Sequence, residues 1–507
     1  MAMPSAYDEV LYPPGVHIHT QLDRLATVGR LRGMQPGAVD GCRVLELGCG
    51  VGTNLIAMAI NWPKSSFLGL DLASNPIQSG QADIKELGLR NIELIEADVL
   101  DANKKRFGVF DYIIAHGLYS WVPESVREHV LSLCREMLAP QGIGYISYNA
   151  YPGNHLRDLA RGIMRFHARH FQEPAEKIRQ ARGILQFLAK ARPEPNAYTT
   201  ALQSEVDRVV KYADSAFYHD DLSEINCSFY FYEFVRDVER HDLQFAGESS
   251  PNEVDPAKVT PETLQRLSEL ETADETTREQ YKDFVVGCGF RRTLVCHKEV
   301  PLAPSRLPEV VKELFLSCDA SPIDEAAGGT VFRQPKGGEL ASSHPPIIAA
   351  LRRICEEWPC AVSFEAAFRV SGLSDSGLLT EVLLKAYESG VVQLHTIPRV
   401  VVNRVSERPM ASRLARLQAG RGELVTCQLH KLIRLTDPLS KRLVTLVDGT
   451  RDQGAILEAL LDFAKSGQVE LHDNDRLLTD PEEIASVIRH RVPEVLQALA
   501  REAMLVG

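Results

Sequence analysis

Five short stretches of nearly continuous apolar residues recur along the first third of the chain. They are residues 43–49, 66–72, 92–99, 110–116 and 142–149. Parallel strands that are covered by helices on both faces have this pattern, because neither side of the strand meets water. Apolar residues at helical spacing fill 53–62, 74–88 and 123–138 between them. The alternation predicts a doubly wound α/β fold with a mostly parallel sheet.

The pattern changes after residue 149. Residues 155–225 have helical spacing throughout, and residues 229–246 predict a helix followed by a short strand. A polar helix is predicted at about 262–286, and residues 290–300 predict another strand. We expect these two late strands to complete a seven-stranded sheet. Residues 155–228 would then be a helical insertion, used for dimerisation or regulation, and not a separate tandem domain.

Proline and glycine mark the next boundary. Pro301, Pro304 and Pro308 lie close together, and residues 326–344 are rich in Gly and Ser, which predicts a linker with a short strand. From Pro345 the spacing predicts three helices and a strand ending at Pro398, a weak winged-helix signature. The predicted domains are a core at 1–154, the insertion at 155–228, completion of the sheet at 229–300, a linker at 301–344, and an accessory region at 345–507 that is winged-helix-like and then mostly helical.

Composition excludes several classes of protein. The 507 residues carry a net charge of −12, with no apolar run long enough to cross a bilayer and no signal-peptide pattern at the start. The ten cysteines form no C-x-x-C pair, which disfavours structural zinc and a disulfide scaffold. We expect a cytoplasmic protein that neither inserts into a membrane nor binds nucleic acid, because the charge is acidic and diffuse.

A glycine-rich motif follows the first predicted strand. Glu46, Gly48, Gly50 and Gly52 give the spacing E-x-G-x-G-x-G. A dinucleotide fingerprint requires G-x-G-x-x-G, but position 53 is Thr, and no G-K-[ST] follows for a phosphate loop. Glycines here let the backbone approach a small zwitterion, and an acid at Glu46 suits a cationic ligand.

Two further acids follow the next two strands. Asp71 ends the second strand, where a carboxylate can accept hydrogen bonds from both hydroxyls of a ribose. Asp98 ends the third strand, where it can meet the amino group of an adenine. In order and spacing, these motifs resemble the class I S-adenosylmethionine-dependent methyltransferases across about residues 40–150. The resemblance implies S-adenosyl-L-methionine as cofactor and a methyltransferase activity, with no metal.

Two loops at the carboxyl edge of the sheet supply candidate residues for the site that binds the methyl acceptor. They are His116–Pro123 (HGLYSWVP) and Tyr148–His155 (YNAYPGNH). Methyl transfer to an amine requires an aligned, uncharged nucleophile, and a dry aromatic cavity lowers an amine pKa. Tyr119 and Tyr151 are the better candidates on this ground. Trp121 and Tyr148 could equally cap the sheet, and His116 is either a base or a structural histidine.

These loops narrow the family. Together with YHDDLSEINCSFYFYEFV, FRRTLVCHKE and LVDGTRD, they resemble bacterial methyltransferases with a methyltransferase regulatory domain, including the rickettsial outer-membrane-protein lysine methyltransferases. The resemblance implies methyl transfer to lysine side chains of a surface protein by a homodimer with an open cavity. It assigns two sets of residues. The cofactor set is Glu46, Gly48, Cys49, Gly50, Gly52, Asn54, Asp71, Leu72, Asp98, Val99, His116 and Gly117. The acceptor set is His116, Tyr119, Trp121, Tyr148, Asn149 and Tyr151.

The N-terminal segment departs from this family. Relatives tend to carry Thr-His-Pro before the first helix, whereas this chain has Thr20-Gln21-Leu22. We expect the segment to cover the cofactor as a lid, to which Tyr7 and Tyr12 either contribute or only pack. This difference in sequence affects the expected identity of the substrate and not the expected use of the cofactor.

Two alternatives to a protein-lysine methyltransferase stay open at this point. A small-molecule N- or O-methyltransferase would need a closed pocket, whereas a protein substrate needs an open cleft. A cofactor-sensing regulator would bind nucleic acid through its winged-helix region, which the lack of a basic run disfavours.

Overall fold

A mixed sheet forms the centre of the computed structural model, which describes residues 10, 12–250, 259–270, 274–325, 328–335, 337–466, 472–473, 476–478 and 480–507. Its strands are β1 (Arg43–Leu47), β2 (Ser66–Asp71), β3 (Ile92–Glu96), β4 (Phe110–Ala115), β5 (Leu138–Ala150), β6 (Ser228–Phe229), β7 (Leu243–Glu248) and β8 (Phe290–His297). The order is β3-β2-β1-β4-β5-β8-β7, and the short β6 pairs with the end of β5. This confirms the predicted seven-stranded class I architecture.

The strand directions fix where a ligand can bind. Strands β1 to β5 run parallel, while β8 is antiparallel to both β5 and β7. The order reverses between β1 and β4, and the carboxyl ends of strands at such a switch point leave a crevice. The helices of this region are α1 (Leu22–Leu31), α2 (Thr53–Asn61), α3 (Ser74–Leu87), α4 (Lys104–Phe107) and α5 (Glu124–Met137).

A layer of helices with its own small core stands between β5 and β6. It consists of α6 (Asn154–Ala168), α7 (Pro174–Ala189), α8 (Ala197–Val209) and α9 (Asp214–Asp221). Met164, Leu185, Leu202 and Phe217 are buried together between these helices. Helix α10 (Phe231–Arg240) then packs a strongly amphipathic face on the sheet through Phe234 and Val238. The chain therefore leaves the sheet for four helices and returns to it.

Two segments differ from the sequence prediction. The helix expected at about 262–286 is two helices, α11 (Pro261–Glu269) and α12 (Glu275–Val286). Asp274 starts the second because its side chain accepts a hydrogen bond from the amide of Thr277. The linker expected at 301–344 contains a 3₁₀ helix and the strands β9 (Phe315–Ser317), β10 (Ser321–Asp324), β11 (Thr330–Arg333) and β12 (Glu339–Ser342). These strands are too short to give a periodic signal, and β10 is exposed along its whole length.

The remainder of the chain forms two further hydrophobic cores. The first lies in the segment that contains α13 (Pro345–Glu356), β13 (Val362–Ser363), α14 (Phe364–Ser371), α15 (Gly377–Glu388) and β14 (Gln393–His395), with β9 between β13 and β14. The second lies in the segment that contains α16 (Arg413–Arg421), β15 (Leu424–Thr426), β16 (Leu432–Arg434), α17 (Pro438–Leu446), α18 (Gln453–Lys465), β17 (His472–Asp473), β18 (Arg476–Leu477) and α19 (Pro481–Arg501). Among the described residues, no helix is both long and apolar enough to span a membrane.

A buried polar contact joins α1 to β14. Asp23 Oδ2 accepts a hydrogen bond of 2.7 Å from His395 Nδ1, and Asp23 Oδ1 accepts two from the amide and hydroxyl of Thr396. His395 Nε2 lies 2.9 Å from Ser317 Oγ. Burial opposes ionisation of Asp23, but these hydrogen bonds outweigh it and lower the pKa of the carboxyl, while burial lowers the pKa of His395 to about 4. An ionised Asp23 therefore holds the accessory region on the core.

We predict that Asp23→Ala lowers the free energy of unfolding by about 3 kcal/mol, since three buried donors lose their acceptor. Thr27→Val on the same helix is the matched control, because it removes only one hydrogen bond of 3.3 Å, to the carbonyl of Leu394. Its expected cost is about 1 kcal/mol. Urea denaturation measures the free energy of unfolding of both variants. Equal decreases in this free energy would show that the Asp23 contact contributes nothing beyond an ordinary hydrogen bond.

Candidate functional site

A cavity of about 980 Å³ opens at the carboxyl ends of β1 to β5. Its wall includes most of the predicted cofactor residues, namely Glu46, Gly48, Cys49, Gly50, Asn54, Asp71, Leu72, Asp98, Val99, His116 and Gly117. Trp121 and Asn149 from the predicted acceptor set also line it. The cavity reaches solvent, since Leu72 and Tyr12 in its wall are 62% and 42% exposed.

The three motif glycines all adopt positive φ but have different surroundings. Their φ angles are 73° at Gly48, 54° at Gly50 and 70° at Gly52. A Cβ on Gly50 would meet no protein atom within 4 Å, so this position faces open cavity. A Cβ on Gly52 would lie 2.6 Å from Leu94 Cδ1, and Gly52 is not in the cavity wall of the described chain. Gly50 therefore leaves room for a ligand, whereas Gly52 leaves room for the neighbouring strand.

Asp71 holds the glycine loop in place. Its Oδ2 accepts a 2.7 Å hydrogen bond from the amide of Gly50, and its Oδ1 accepts one of 2.9 Å from the amide of Ala73. Asp98 has a similar local role, since its Oδ1 accepts a hydrogen bond of 2.9 Å from the amide of Leu100. Both carboxylates are thus fixed by backbone amides while they line the cavity.

Glu46 and Asn54 form a buried pair beneath the loop. Asn54 Nδ2 donates a 2.8 Å hydrogen bond to Glu46 Oε1. Glu46 Oε2 is buried and has no hydrogen-bond partner among the described residues. Burial raises the pKa of Glu46 to about 8; the hydrogen bond from Asn54 opposes the increase, and the charge of Asp71 adds to it. A buried acceptor of this kind is suited to a cationic donor from a ligand.

Two histidine rings contact each other in the cavity wall. The ring centroids of His17 and His116 are 3.7 Å apart with the planes tilted by 34°, and His116 Nδ1 lies 3.0 Å from the hydroxyl of Tyr145. Burial lowers the pKa of His17 to about 4 and that of His116 well below its ordinary value, with the charge of Arg292 adding to both shifts. Both imidazoles are neutral at pH 7, and His116 in this environment is too weak a base to deprotonate an ammonium group.

The structure does not bring the three predicted tyrosines to the cavity wall of the described chain. Tyr119 and Tyr148 are 1% and 0% exposed, and Tyr148 stacks on Phe234 with ring centroids 4.2 Å apart. Tyr151 stacks on His155 and donates a 2.7 Å hydrogen bond to Asp158. Tyr119 and Tyr148 pack in the core of the sheet, and Tyr151 belongs to the start of the helical insertion.

Asn149 is the residue of the second acceptor loop that lines the cavity. Its Nδ2 donates to Asn226 Oδ1 at 2.7 Å, and Asn226 Nδ2 donates to the carbonyl of Asp220 at 2.7 Å. These two bonds fix the orientation of the Asn149 amide. Its Oδ1 is buried and lacks a partner in the part of the chain that the structure describes, so it offers a vacant acceptor in the cavity wall.

Several wall residues were not predicted from the sequence. They are His17, Arg157, Tyr212, Asp220, Phe290 and Arg292. Asp220 accepts a 3.4 Å hydrogen bond from the hydroxyl of Tyr12, and burial raises the pKa of its carboxyl to about 6. Of the two tyrosines expected in the lid, Tyr12 lies in the wall, and Tyr7 lies outside the described residues. Asp220, Phe290 and Arg292 lie in stretches that carry the family resemblance, but the sequence assigned none of the six residues to the site. The structure identifies them because it brings distant chain positions to one cavity.

No cluster of three or more His, Cys, Asp or Glu side chains suited to a metal ion occurs within the described ranges.

Comparison with known proteins yields three family models along the chain. A methyltransferase domain matches residues 44–142, a predicted methyltransferase regulatory domain matches residues 213–297, and the "PKMT, C-terminal winged helix domain" matches residues 407–504. A C-terminal winged-helix domain was predicted, but its model lies after the 345–398 segment in which the sequence pattern suggested it.

The chain is also similar to individual proteins. An uncharacterized protein of Rickettsia prowazekii (strain Madrid E) is 28% identical over 525 residues, covering 99% of this chain and 93% of that protein. A second uncharacterized protein of this organism is 36% identical over 236 residues, covering 46% of this chain and 94% of that protein. The solved structure of PKMT2 from Rickettsia typhi in complex with AdoHcy is 26% identical, with a TM-score of 0.86 over 98% of this chain and 100% of that one.

The buried Glu46 predicts how stability of the ligand-free protein depends on pH. Its pKa of about 8 in the fold exceeds the ordinary value of 4.5, so folding disfavours its ionised form. The resulting loss of stability starts near pH 4.5, grows as pH rises and is complete above about pH 8. Glu46→Gln should therefore be more stable than the natural protein by about 4 kcal/mol at pH 8 and nearly equal to it near pH 4.5.

Thermal unfolding of both proteins between pH 5 and 8.5 measures this difference. Glu93→Gln, at an exposed position on β3, is the control and should show no pH-dependent gap. A gap for Glu46→Gln that stays constant across this range would contradict the buried, raised-pKa carboxyl.

Proposed function

The chain belongs to the S-adenosylmethionine-dependent methyltransferases that carry a methyltransferase regulatory domain and a C-terminal winged-helix domain, and we propose that it methylates lysine side chains of a protein. The observation that carries the proposal is the full-length similarity to PKMT2 from Rickettsia typhi. The resemblance of the acceptor loops to protein-lysine methyltransferases supports the same substrate class.

The cavity residues fit the cofactor. S-adenosyl-L-methionine supplies an electrophilic methyl group on a sulfonium centre. We assign its amino group to the vacant Oε2 of Glu46 and its ribose hydroxyls to Asp71. Asp98 with Val99 is assigned to the adenine. The open space over Gly50 allows the close approach of backbone and cofactor that this arrangement requires.

The acceptor lysine needs a polar site that first holds its ammonium group and then orients its neutral amine. Asp220, whose pKa is about 6, is ionised at pH 7 and accepts hydrogen bonds from the ammonium group. The positive charge of Arg292 and burial in the cavity favour loss of a proton from the ammonium group to the solvent at the cavity opening. The vacant Asn149 Oδ1 then accepts an amine N–H, which directs the nitrogen lone pair towards the methyl group.

A small-molecule acceptor is the second candidate. An enzyme for a small-molecule acceptor would need a sealed cavity, whereas this cavity opens to solvent beside the exposed Leu72 and Tyr12. The opening lies next to the helical insertion, which supplies Arg157, Tyr212 and Asp220 to the wall. We interpret the insertion as part of the surface that contacts the substrate protein.

Assembly and location stay predictions. The family resemblance implies a homodimer formed through the helical insertion. Phe166 and Phe187 support this, since they are 68% and 66% exposed on α6 and α7. We also retain the predictions of a cytoplasmic location and of a surface or outer-membrane protein as the substrate.

Incubation with methyl-labelled cofactor and bacterial surface proteins should place label on lysine side chains, which peptide mass spectrometry identifies. Gly50→Val is the inactive control, because its side chain would fill the cofactor space. Label confined to small molecules, or to side chains other than lysine, would contradict the proposed substrate class.

Asn149→Ala should lower kcat by about 10- to 100-fold with little change in cofactor affinity, because the lost hydrogen bond acts on the acceptor. Tyr151→Phe is the matched control from the same loop and should retain near-normal kcat, since its hydroxyl bonds Asp158 outside the cavity. Single-turnover methylation with saturating cofactor measures both. A larger loss in Tyr151→Phe than in Asn149→Ala would reverse the assignment.

A further inference from the structure

One residue of the C-terminal winged-helix region reaches the cofactor loop. His430 lies in the turn between β15 and β16 and is 1% exposed. Its Nε2 is 2.7 Å from Asn54 Oδ1, although the two residues are 376 positions apart. Asn54 in turn donates to Glu46 Oε1, so a continuous chain of hydrogen bonds links the accessory domain to the buried acid of the cavity.

The surrounding groups determine the orientation of the Asn54 amide. The backbone amide of His17 can only donate, and it lies 3.1 Å from Asn54 Oδ1. The other end of the Asn54 side chain faces Glu46 Oε1, which accepts a hydrogen bond from it. The oxygen must therefore face His17 and His430, and the nitrogen must face Glu46.

The protonation of His430 follows from this orientation. Because Asn54 Oδ1 is an acceptor, the Nε2 of His430 carries the hydrogen. Burial lowers the pKa of His430 to about 3, so the ring is neutral with its hydrogen on Nε2. The ring is thus a single-donor group aimed at one oxygen.

The backbone at His430 is costly for a histidine. Its φ is +58°, in the left-handed region that favours glycine, and a turn to Cys427 holds it there through a 3.0 Å bond from the His430 amide to the Cys427 carbonyl. A non-glycine residue in this conformation costs about 1 kcal/mol or more. A strained histidine whose imidazole makes one directed bond into a ligand cavity indicates a role in that site.

We propose that His430 is a positioning residue for cofactor binding, which couples docking of the C-terminal domain to occupancy of the cofactor cavity. By fixing the Asn54 amide, His430 keeps Asn54 Nδ2 on Glu46 Oε1 and leaves Glu46 Oε2 vacant for the amino group of the cofactor. The inference rests on the proposed assignment of Glu46 to that amino group.

The coupling acts in both directions. A contact that strengthens cofactor binding is strengthened by cofactor to the same degree. Asn54 Oδ1 also lies 3.1 Å from Thr20 Oγ1, so the N-terminal segment over the cavity shares the same oxygen. Cofactor occupancy should therefore stabilise the turn at 427–431 and the segment at 17–20 together.

Calorimetric titration of S-adenosylhomocysteine into His430→Gly tests the proposal. Glycine suits the left-handed backbone, so the variant removes the imidazole without adding strain. We expect the Kd to rise about 5- to 20-fold. His490→Ala is the control from the same domain, since His490 is on the outer face of α19 with a side chain 82% exposed, and it should bind like the natural protein.

A pH profile separates positioning from a general loss of structure. The groups that act on Glu46 are the Asn54 amide and the Asp71 carboxylate. When the amide is free to turn, Glu46 loses the bond that favours its charged form, so the pH at which binding reaches half its full strength should move upwards. Hydrogen exchange of the natural protein gives a second measurement, with expected protection of residues 427–431 by the cofactor.

The possible failures are distinct. If Glu46→Gln weakens binding while His430→Gly matches the natural protein in Kd and pH profile, the coupling proposal is overturned and the Glu46 assignment stands. If Glu46→Gln binds like the natural protein, the Glu46 assignment itself fails. If cofactor protects residues 46–54 but leaves 427–431 unchanged, the two domains are not coupled and the proposal is wrong.

Discussion

The side-chain amide of Asn54 is the point at which three distant segments of the chain meet. Its oxygen faces the backbone amide of His17 and the imidazole of His430, and its nitrogen bonds Glu46. A planar amide has one acceptor end and one donor end, so each of these neighbours constrains the others. The first helix after the glycine loop, the segment over the cavity and the C-terminal domain are therefore positioned relative to a single buried group.

The cavity separates its charges by function. Glu46, Asp71 and Asp98 lie on the wall that we assign to the cofactor, which carries a cationic amino group and a sulfonium. Arg157 and Arg292 also line the cavity, but they come from the insertion and from β8. Between these sets, burial keeps His17 and His116 uncharged. A cationic lysine would enter a region where neighbouring cations and desolvation favour its neutral form, which is the form that can attack a methyl group.

The sequence predicted the parts of the site that depend on local order. Glu46, Gly50, Asp71 and Asp98 lie at or just after the carboxyl ends of three strands that succeed one another along the chain. Parallel strands bring such positions to one edge of the sheet. The acceptor loops were harder to interpret because neighbouring strand residues point to opposite faces. Tyr148 and Asn149 are adjacent in β5, yet one stacks in the core on Phe234 and the other lines the cavity. No periodicity tells the two faces apart when both are buried.

Other residues of the site could not be assigned from the sequence. His430, Arg292 and Asp220 come from three regions far apart in the chain. Asp220 and Arg292 lie in stretches that carry the family resemblance, but nothing in those stretches placed them in the cavity. The strands β9 and β10 were missed, and one short strand was predicted where β11 and β12 lie, since runs of three or four residues fall below the length at which alternation is visible. What the sequence could not supply was long-range contact, and long-range contact assembles the acceptor side.

A crystal structure with S-adenosylhomocysteine and a lysine-containing substrate peptide tests the central claim most directly. We expect the amino group of the cofactor product to bond Glu46 Oε2. We also expect the lysine Nζ to lie within hydrogen-bond distance of Asn149 Oδ1 and to point to the sulfur. A cofactor product bound away from Glu46, or a lysine that enters from another face and leaves Asn149 Oδ1 without a partner, would contradict it.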